Sequence, residues 1–266
     1  MNWETLNILQ FRQAVADGRG VCLLPMGCLE KHGDHLPLGT DLFFAREVAL
    51  RAAENEPAVV FPGYPFGQIS EARHLLGTVA LEARLQMELM QALCGEIARN
   101  GLGKIIIVNA HGGSISMLRY FAQTQLDKRR GFTVYFFQCW PTAEQQRQLN
   151  AVHGAPDGEG HADIHETSFI MSQNPALARM ENVKVEESRP LGRLRHLRDV
   201  FTGIGWYADY PCQFAGNPIG ATPERGAALR DCCVENLVAA IRAVKSDDSA
   251  AALQKEFFDR CDAPGV

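Results

Sequence analysis

Several patterns that define common protein classes are missing from this sequence of 266 residues. No apolar run reaches the roughly 18 residues that a membrane-spanning helix requires. The first residues lack a basic segment followed by an apolar core, so we expect no signal peptide. The formal net charge is −5 at pH 7, which argues against nucleic acid or an anionic membrane surface as the main partner. We therefore expect the partner to be a small molecule.

The sequence also lacks the signatures of several large enzyme classes. It contains no GxSxG nucleophile elbow, no Walker A loop and no GxGxxG segment after a predicted strand. None of its eight cysteines forms a CxxC pair, and several lie inside apolar segments. In a chain of this length, such cysteines are typical of buried reduced thiols and not of a disulfide framework. We therefore expect a cytoplasmic protein.

What the sequence does contain is an alternation of strand-like and helix-like segments. Strands are predicted at 21–25, 58–61, 104–109 and 132–137. Helices are predicted at 4–17, from 41 onward, and at 83–100, 115–128, 166–171, 223–244 and 249–260. The β-branched run 105–108 is typical of a parallel strand that is covered on both faces. With 46% hydrophobic residues and no repeat or linker, the chain is predicted to form one α/β domain over residues 1–266.

One stretch concentrates the residues that can carry chemistry. The segment 30–41 contains two histidines and three acids: Glu30, His32, Asp34, His35 and Asp41. Three glycines and two prolines between 24 and 41 exclude a regular helix there. Oxygen and imidazole donors in a tight loop after a buried strand are what a divalent metal needs. The alternative role for Asp41 is to cap the helix that begins there.

Two other polar clusters follow predicted strands. His111 comes after the strand 104–109, and the glycine-rich segment 151–165 carries His161 just before Glu166. Ligands of open parallel sheets bind outside the carboxyl ends of the strands, where such loops meet. Converging carboxylates and imidazoles would repel one another or stay unsatisfied without a cation between them. The three clusters together therefore predict a metal site.

Two nearby features allow other chemistry. Gly112 and Gly113 are compatible with a phosphate-binding turn at a helix N-terminus, and also with close backbone approach at a crowded site, which we favour. Cys28 could be a nucleophile or a soft metal ligand, but packing in the core explains this apolar neighbourhood better.

With these residues in view, the sequence resembles the creatininase (creatinine amidohydrolase) family. The resemblance is carried by Leu24-Pro-Met-Gly-Cys-Leu-Glu-Lys-His-Gly-Asp-His-Leu-Pro-Leu-Gly-Thr-Asp41, by Val108-Asn-Ala-His-Gly-Gly113 and by His161-Ala-Asp-Ile-His-Glu-Thr-Ser168. Gly77-Thr78 matches the family's Pro-Gly-Thr segment in part. The resemblance extends from about residue 18 to residue 175, and the last third of the chain matches only loosely.

The resemblance implies a three-layer α/β/α sandwich with a mostly parallel sheet, in a homo-oligomer that is often a hexamer. It also implies a hydrolase that depends on one or two divalent ions, with zinc, manganese and iron as the metals of the family. By motif position, the implied metal ligands are Glu30, His32, Asp41 and His111, with Asp41 as the bridge if two ions bind. His161 matches a histidine near the reacting group.

The sequence departs from creatininase itself at several positions. Gly113 stands where creatininase has a glutamate of its metal site, so either the second ion is absent or another carboxylate binds it. Glu166 is the candidate, and its alternative role is to cap a helix or to support the ligands. Asp157 replaces a tryptophan that packs on the substrate, and residues 70–78 also differ. Creatinine is therefore not the expected substrate.

The sequence as a whole predicts a metal-dependent hydrolase that acts on a small, cyclic, polar substrate at a non-peptide amide C–N bond. The metal would lower the pKa of a bound water toward neutrality and polarise the carbonyl. His161 or Glu166 would move a proton to the leaving group, while Arg73 and His74 in the loop 62–77 would line the pocket. Two alternatives stay open: a hydrolase or isomerase of a cyclic keto-sugar or keto-inositol, and a non-catalytic metal-binding protein.

Overall fold

A sheet of four parallel strands forms the centre of the protein. The computed structural model describes residues 1–155 and 160–263, so Asp157 lies outside the described residues. The strands lie in the order β2-β1-β3-β4, and every neighbouring pair is parallel. Their bounds are β1 Val21–Met26, β2 Val59–Val60, β3 Lys104–Asn109 and β4 Thr133–Gln138. Each strand begins and ends within one residue of its predicted position.

Helices connect the strands and cover the sheet. In the described ranges they are α1 Ile8–Asp17, α2 Thr40–Asn55, α3 Ala83–Arg99, α4 Ile115–Thr124, α5 Ala143–His153, α6 Ile164–Gln173, α7 Gly205–Asp209, α8 Pro223–Lys245 and α9 Ser249–Asp262. Helix α5, like the short helix α7, has no counterpart in the prediction. A capping box marks its start, because Thr142 and Gln145 each accept the other's backbone N–H with their side chains. None of these helices is long and apolar enough to cross a membrane.

Two hydrophobic cores, one on each face of the sheet, produce three layers. Helices α2, α6 and α8 pack on the face that carries Leu23 and Ile106. Helices α1, α3 and α4 pack on the opposite face, which carries Leu24 and Ile107. Because successive side chains of a strand point to opposite faces, the continuous apolar runs of β1 and β3 fill both cores. The predicted α/β/α sandwich is therefore confirmed, and its sheet is parallel throughout.

The register of the sheet brings three strand ends together. Met26 at the end of β1 pairs with Asn109 at the end of β3, and Asn109 pairs with Gln138 at the end of β4. The loop 27–39 and the loop 110–114 therefore leave from the same edge of the sheet. This edge is where the polar clusters of the sequence are expected to meet.

Gly27 permits a close contact at this edge. A Cβ atom at position 27 would lie 2.4 Å from the backbone nitrogen of Leu42. Only glycine lets the loop after β1 pass this close to the first turn of α2. The contact holds Asp41, which lies in that first turn, against the loop.

The cysteines are free thiols, in agreement with the prediction of reduced cysteines. Five of them are buried: Cys22, Cys28, Cys94, Cys139 and Cys233. Cys212 and Cys232 are partly exposed and Cys261 is exposed, so the expectation of burial holds for the first five only.

The position of Leu23 in the core gives a stability prediction. Leu23 has no exposed surface, so Leu23→Ala removes buried apolar atoms and leaves a cavity. We expect the free energy of unfolding in urea to fall by about 2–5 kcal/mol. Leu76→Ala is the matched control, because Leu76 is 97% exposed, and it should change that free energy by less than about 0.5 kcal/mol. Similar losses in the two variants would contradict the layer assignment.

Candidate metal centre

Buried polar side chains converge at the carboxyl edge of the sheet. Glu30 and His32 lie in the loop after β1, Asp41 lies in the first turn of α2, and His111 lies two residues after the end of β3. Two groups of possible ligand atoms share Asp41. Within each group, all of the atoms lie within 4.8 Å of one another. One group contains Glu30 and His111, and the other contains His32 and Glu166. The structure therefore brings together all five residues that the sequence suggests as metal ligands.

The carboxylate of Asp41 links the two groups. Its Oδ1 lies 3.3 Å from His32 Nε2, and its Oδ2 lies 3.0 Å from His111 Nδ1. The alternative role of Asp41 as a helix cap is wrong, because Gly39 occupies the N-cap position of α2 and no side chain caps it. A carboxylate with one oxygen toward each imidazole has the geometry that a bridging ligand needs.

Cys28 and His111 surround Glu30. His111 Nδ1 lies 3.1 Å from Glu30 Oε1. The Cys28 thiol lies 3.2 Å from the same oxygen and 3.3 Å from Asp41 Oδ2. Burial raises the pKa of Cys28 well above its usual value, so the thiol keeps its proton and can donate a hydrogen bond to these carboxylates. This environment favours an orienting role for Cys28 over a nucleophilic one.

Backbone carbonyls orient both imidazoles. His111 Nε2 lies 2.8 Å from the carbonyl oxygen of Gln68, and His32 Nδ1 lies 3.2 Å from the carbonyl oxygen of Glu30. Because a carbonyl only accepts, these nitrogens are the donors. His111 Nδ1 and His32 Nε2 are then the nitrogens that face the carboxylates and that would donate their lone pairs to a bound ion. Fixing the tautomer through the second nitrogen is the usual way in which proteins prepare a histidine for a metal.

Glu166 joins the second group from the start of α6. Its Oε2 lies 3.7 Å from His32 Nε2 and accepts the backbone N–H of Ala162 at 2.6 Å. Ala162 has a φ of +60°, a strained conformation for a residue with a Cβ atom. The helix cap is Asp163, which accepts the N–H groups of His165 and Glu166, so Glu166 itself is not the cap.

His161 packs against His32 beside the carboxylates. The two rings have a centroid separation of 4.1 Å. His161 Nε2 lies 2.7 Å from the carbonyl oxygen of Lys31 and 3.6 Å from Glu30 Oε2. Burial lowers the pKa of His161, so this imidazole is neutral at pH 7. A neutral imidazole can accept or relay a proton.

The carboxylates and the imidazoles compensate one another's charge. Burial would raise the pKa of Glu30, but the neighbouring imidazoles outweigh it and lower that pKa to about 2. Burial would likewise lower the pKa of His32, but Asp41 and Glu166 raise it to about 10. Burial raises the pKa of Glu166 to about 8. The buried acids therefore require positive charge beside them, and a divalent ion bound by oxygen and nitrogen donors would supply it.

The cluster forms one wall of a cavity of about 520 Å³, a volume typical of small-molecule sites. Two indoles, Trp140 and Trp206, and two polar side chains, Glu71 and Gln213, line it further. Trp206 donates its Nε1–H to Gln213 Oε1 at 2.5 Å, which fixes the orientation of that amide. Among the described residues that line the cavity, none is a lysine or an arginine.

The structure places Arg73 and His74 differently from the sequence expectation. Both side chains are exposed, and neither is among the residues that line the cavity. His74 Nε2 instead donates to the carbonyl oxygen of Pro211 at 2.8 Å and packs edge-on against Tyr207. The loop 62–77 does reach the cavity, but through Ile69 and Glu71.

Sequence reasoning missed both tryptophans of the cavity. Trp140 lies two residues after the end of β4. Ligands bind outside the carboxyl ends of parallel strands, so this position could have indicated that Trp140 lines the site. Trp206 lies in α7, within a segment for which neither a helix nor a strand is predicted, and no sequence pattern indicates which way its side chain points.

The chain matches a known family over most of its length. A family model described as "Creatininase: Creatinine amidohydrolase" matches residues 4–241. Creatinine amidohydrolase from Pseudomonas putida is 24% identical over 256 residues, which cover 88% of this chain and 93% of that protein. The mycofactocin precursor peptide peptidase from Mycolicibacterium smegmatis is 29% identical over 178 residues, 65% of each protein.

Solved creatininase structures share the fold. A crystal structure of creatinine amidohydrolase superposes with a TM-score of 0.76 at 23% identity and covers 92% of this chain and 98% of its own. A creatininase structure described as Zn-Zn type gives a TM-score of 0.75 at 21% identity and covers 92% of this chain and 98% of its own. Another, described as Mn, gives a TM-score of 0.75 at 23% identity and covers 92% of this chain and 99% of its own. At this identity the likeness shows the fold alone, whereas the family model covers the motifs as well. The protein belongs to the creatininase family and is a metal-dependent hydrolase of the amidohydrolase type.

Proposed function

We propose that this protein hydrolyses an amide C–N bond of a small polar substrate with two divalent ions. Glu30, Asp41 and His111 would bind one ion, and His32, Asp41 and Glu166 would bind the other. The observation that carries this proposal is the carboxylate of Asp41, whose two oxygens face two separate groups of ligand atoms. One shared carboxylate between two ions is typical of dinuclear hydrolases.

Gly113 does not argue against the second ion. The carboxylate that the sequence lacks at this position is available from Glu166, which lies beside His32. Carboxylate and imidazole donors suit zinc, manganese and iron. Zinc and manganese are supported further by the related creatininase structures described as Zn-Zn type and Mn.

The residues of the cavity would have distinct roles in the reaction. When bound, the metal would polarise the substrate carbonyl and acidify water. His161 lines the cavity, and its Nε2 is held by the Lys31 carbonyl, which leaves the lone pair of Nδ1 to accept a hydrogen bond from the substrate. Trp140 and Trp206 would pack on the substrate and exclude water. Since the described lining contains no lysine or arginine, we expect a neutral or cationic substrate to bind better than an anionic one.

Two broader expectations stay predictions. A single domain over residues 1–266 is supported by the one sheet on which both cores are built. A cytoplasmic location is supported by the eight free cysteines, since secreted proteins usually pair theirs.

A homo-oligomer, for which a hexamer is the expectation from the family, is supported by exposed apolar side chains. Leu191, Val200, Phe201 and Ile204 are each more than half exposed and lie close in sequence. Where exposed apolar side chains form one surface, that surface usually marks an interaction site in soluble proteins. We propose that they lie between copies of the chain.

The ligand assignment predicts the effect of removing His111. His111→Ala should weaken zinc binding by at least about tenfold. Removing even a residue that only orients a ligand typically lowers metal affinity by about 10- to 100-fold. Competition with a chromophoric chelator measures this affinity. His74→Ala is the control and should bind zinc like wild type, because His74 is exposed and lies outside the cavity. Wild-type zinc affinity in His111→Ala would contradict the assignment.

A substrate screen tests the reaction class. Zinc- or manganese-loaded protein should open cyclic amides, which creates one new amine group and one new carboxyl group on the same product, and should leave cyclic ketoses of similar size unchanged. The reason is that the acidified water adds to a polarised carbonyl whose nitrogen can leave. Chelator-treated protein should be inactive until the metal returns. Turnover of ketoses alone would overturn the amidase proposal.

The oligomer proposal predicts a change in particle mass. Phe201 is 95% exposed, and Phe201→Asp would place a charge in the proposed interface. Light scattering after gel filtration should show an oligomer for wild type and a smaller particle for this variant. Leu253→Asp, on the exposed side of α9, should leave the mass unchanged. A monomeric wild-type protein would refute the interface.

A further inference from the structure

Gly113 borders a space that is already filled. A Cβ atom at position 113 would lie 2.5 Å from His111 Nε2, and 3.2 Å from both the Gln68 carbonyl oxygen and Glu71 Oε1. Any side chain at this position would therefore displace the imidazole or its partner. At Gly112, in contrast, a Cβ atom would meet nothing within 4 Å. The glycine at 113 thus leaves room for a carboxylate that arrives from another segment of the chain.

Gln68 holds that carboxylate and His111 together. Its side-chain Nε2 donates to Glu71 Oε2 at 3.0 Å, while its carbonyl oxygen accepts from His111 Nε2 at 2.8 Å. Its own N–H donates to Ser114 Oγ at 3.0 Å. With Oε2 engaged by Gln68, Oε1 is the oxygen of Glu71 that faces Gly113.

Apolar packing fixes the turn that carries Glu71. The turn Ser70–Ala72 is a short 3-10 helix. Ile69 and Ala72, on either side of Glu71, are buried in a small cluster with Cys28, which itself contacts Glu30. The backbone is therefore anchored to the loop after β1, and Glu71 lines the cavity from this anchored position.

Glu71 also differs from the other acids of the cavity in its partners. Glu30, Asp41 and Glu166 each lie within 4 Å of an imidazole nitrogen. Within the described residues, Glu71 has no histidine, lysine or arginine nitrogen within this distance, and its side chain bonds only to the neutral amide of Gln68. It is therefore the acid that the proposed ligand set does not use.

We propose that Glu71 is a catalytic carboxylate that carries a proton from the attacking water to the leaving nitrogen. This inference rests on the amide hydrolysis proposed above. As the water oxygen forms its bond to the carbonyl carbon, one water proton passes to Glu71. The same proton then passes to the leaving nitrogen, which keeps the electron pair of the broken C–N bond. Glu71 returns to the carboxylate, and hydrolysis leaves one new carboxylic acid group and one new amine group, which stay on the same molecule when the substrate is cyclic.

Acetohydroxamate provides a test that does not depend on knowing the substrate. This ligand gives up a proton when it binds a metal centre, and a nearby carboxylate can accept it. Glu71→Gln keeps an acceptor for Gln68 but cannot take the proton. Calorimetry with zinc-loaded protein should show at least about tenfold weaker binding of acetohydroxamate to Glu71→Gln, with unchanged zinc content. Glu82→Gln is the control, because Glu82 is exposed at the start of α3, and it should match wild type.

Kinetics give the second readout once the screen supplies a substrate. A lost proton carrier should lower kcat of Glu71→Gln by about 100- to 10,000-fold and leave KM within about threefold, since substrate binding is retained. A large rise in KM with unchanged kcat would overturn the catalytic role and would indicate a binding contact instead.

The outcomes separate this inference from the function on which it rests. Wild-type protein that binds no zinc would refute the proposed function itself. If wild type binds zinc and Glu71→Gln binds acetohydroxamate equally well, only the role of Glu71 fails. Loss of zinc from Glu71→Gln would show that Glu71 is a metal ligand and would also overturn the inference. If zinc-loaded wild-type protein does not bind acetohydroxamate, the proposed role of Glu71 is also overturned.

Discussion

The carboxylate of Asp41 between His32 and His111 is the interaction on which the rest of the site depends. It is buried, and each of its oxygens faces an imidazole that a backbone carbonyl orients from behind. An isolated carboxylate in such a place would cost several kcal/mol, so its neighbours must provide positive charge or hold an ion that does. Glu30 on one side and Glu166 on the other complete two groups around this centre. One helix residue thereby determines where both proposed ions lie.

The parallel sheet makes this arrangement possible. Strands β1, β3 and β4 end in register, so the loop after β1 lies beside His111, two residues after β3. Gly27 then lets α2 approach closely enough for Asp41 to reach both histidines. The third contribution comes from α6, whose cap Asp163 and strained residue Ala162 hold Glu166 toward His32. Loops at the sheet edge and the first turns of α2 and α6 carry the polar groups, and the segments 62–77 and 184–222 provide Glu71 and Trp206 for the open part of the cavity.

The sequence predicts the sheet and the ligand cluster well because both depend on local patterns. The predicted and observed bounds of β3 agree at both ends, because a short β-branched run that starts after a glycine and ends before a histidine is typical of a buried strand. Helix α5 was missed because Leu149 is its one buried residue, although its Thr142 capping box was visible. The walls of the cavity could not be predicted, because neighbouring residues of a tight turn face different directions. Glu71 thus faces the cavity while Arg73 is exposed, and the contact of His74 with Pro211 joins segments that are far apart in sequence.

The central claim is that one carboxylate serves two ions, and anomalous X-ray scattering from zinc-loaded crystals tests it most directly. The account predicts two zinc peaks per chain, each about 2.0–2.2 Å from a different oxygen of Asp41. One peak should be bound by His111 Nδ1 and Glu30, and the other by His32 Nε2 and Glu166. A single peak, or two peaks of which either lies out of reach of Asp41, would contradict the account.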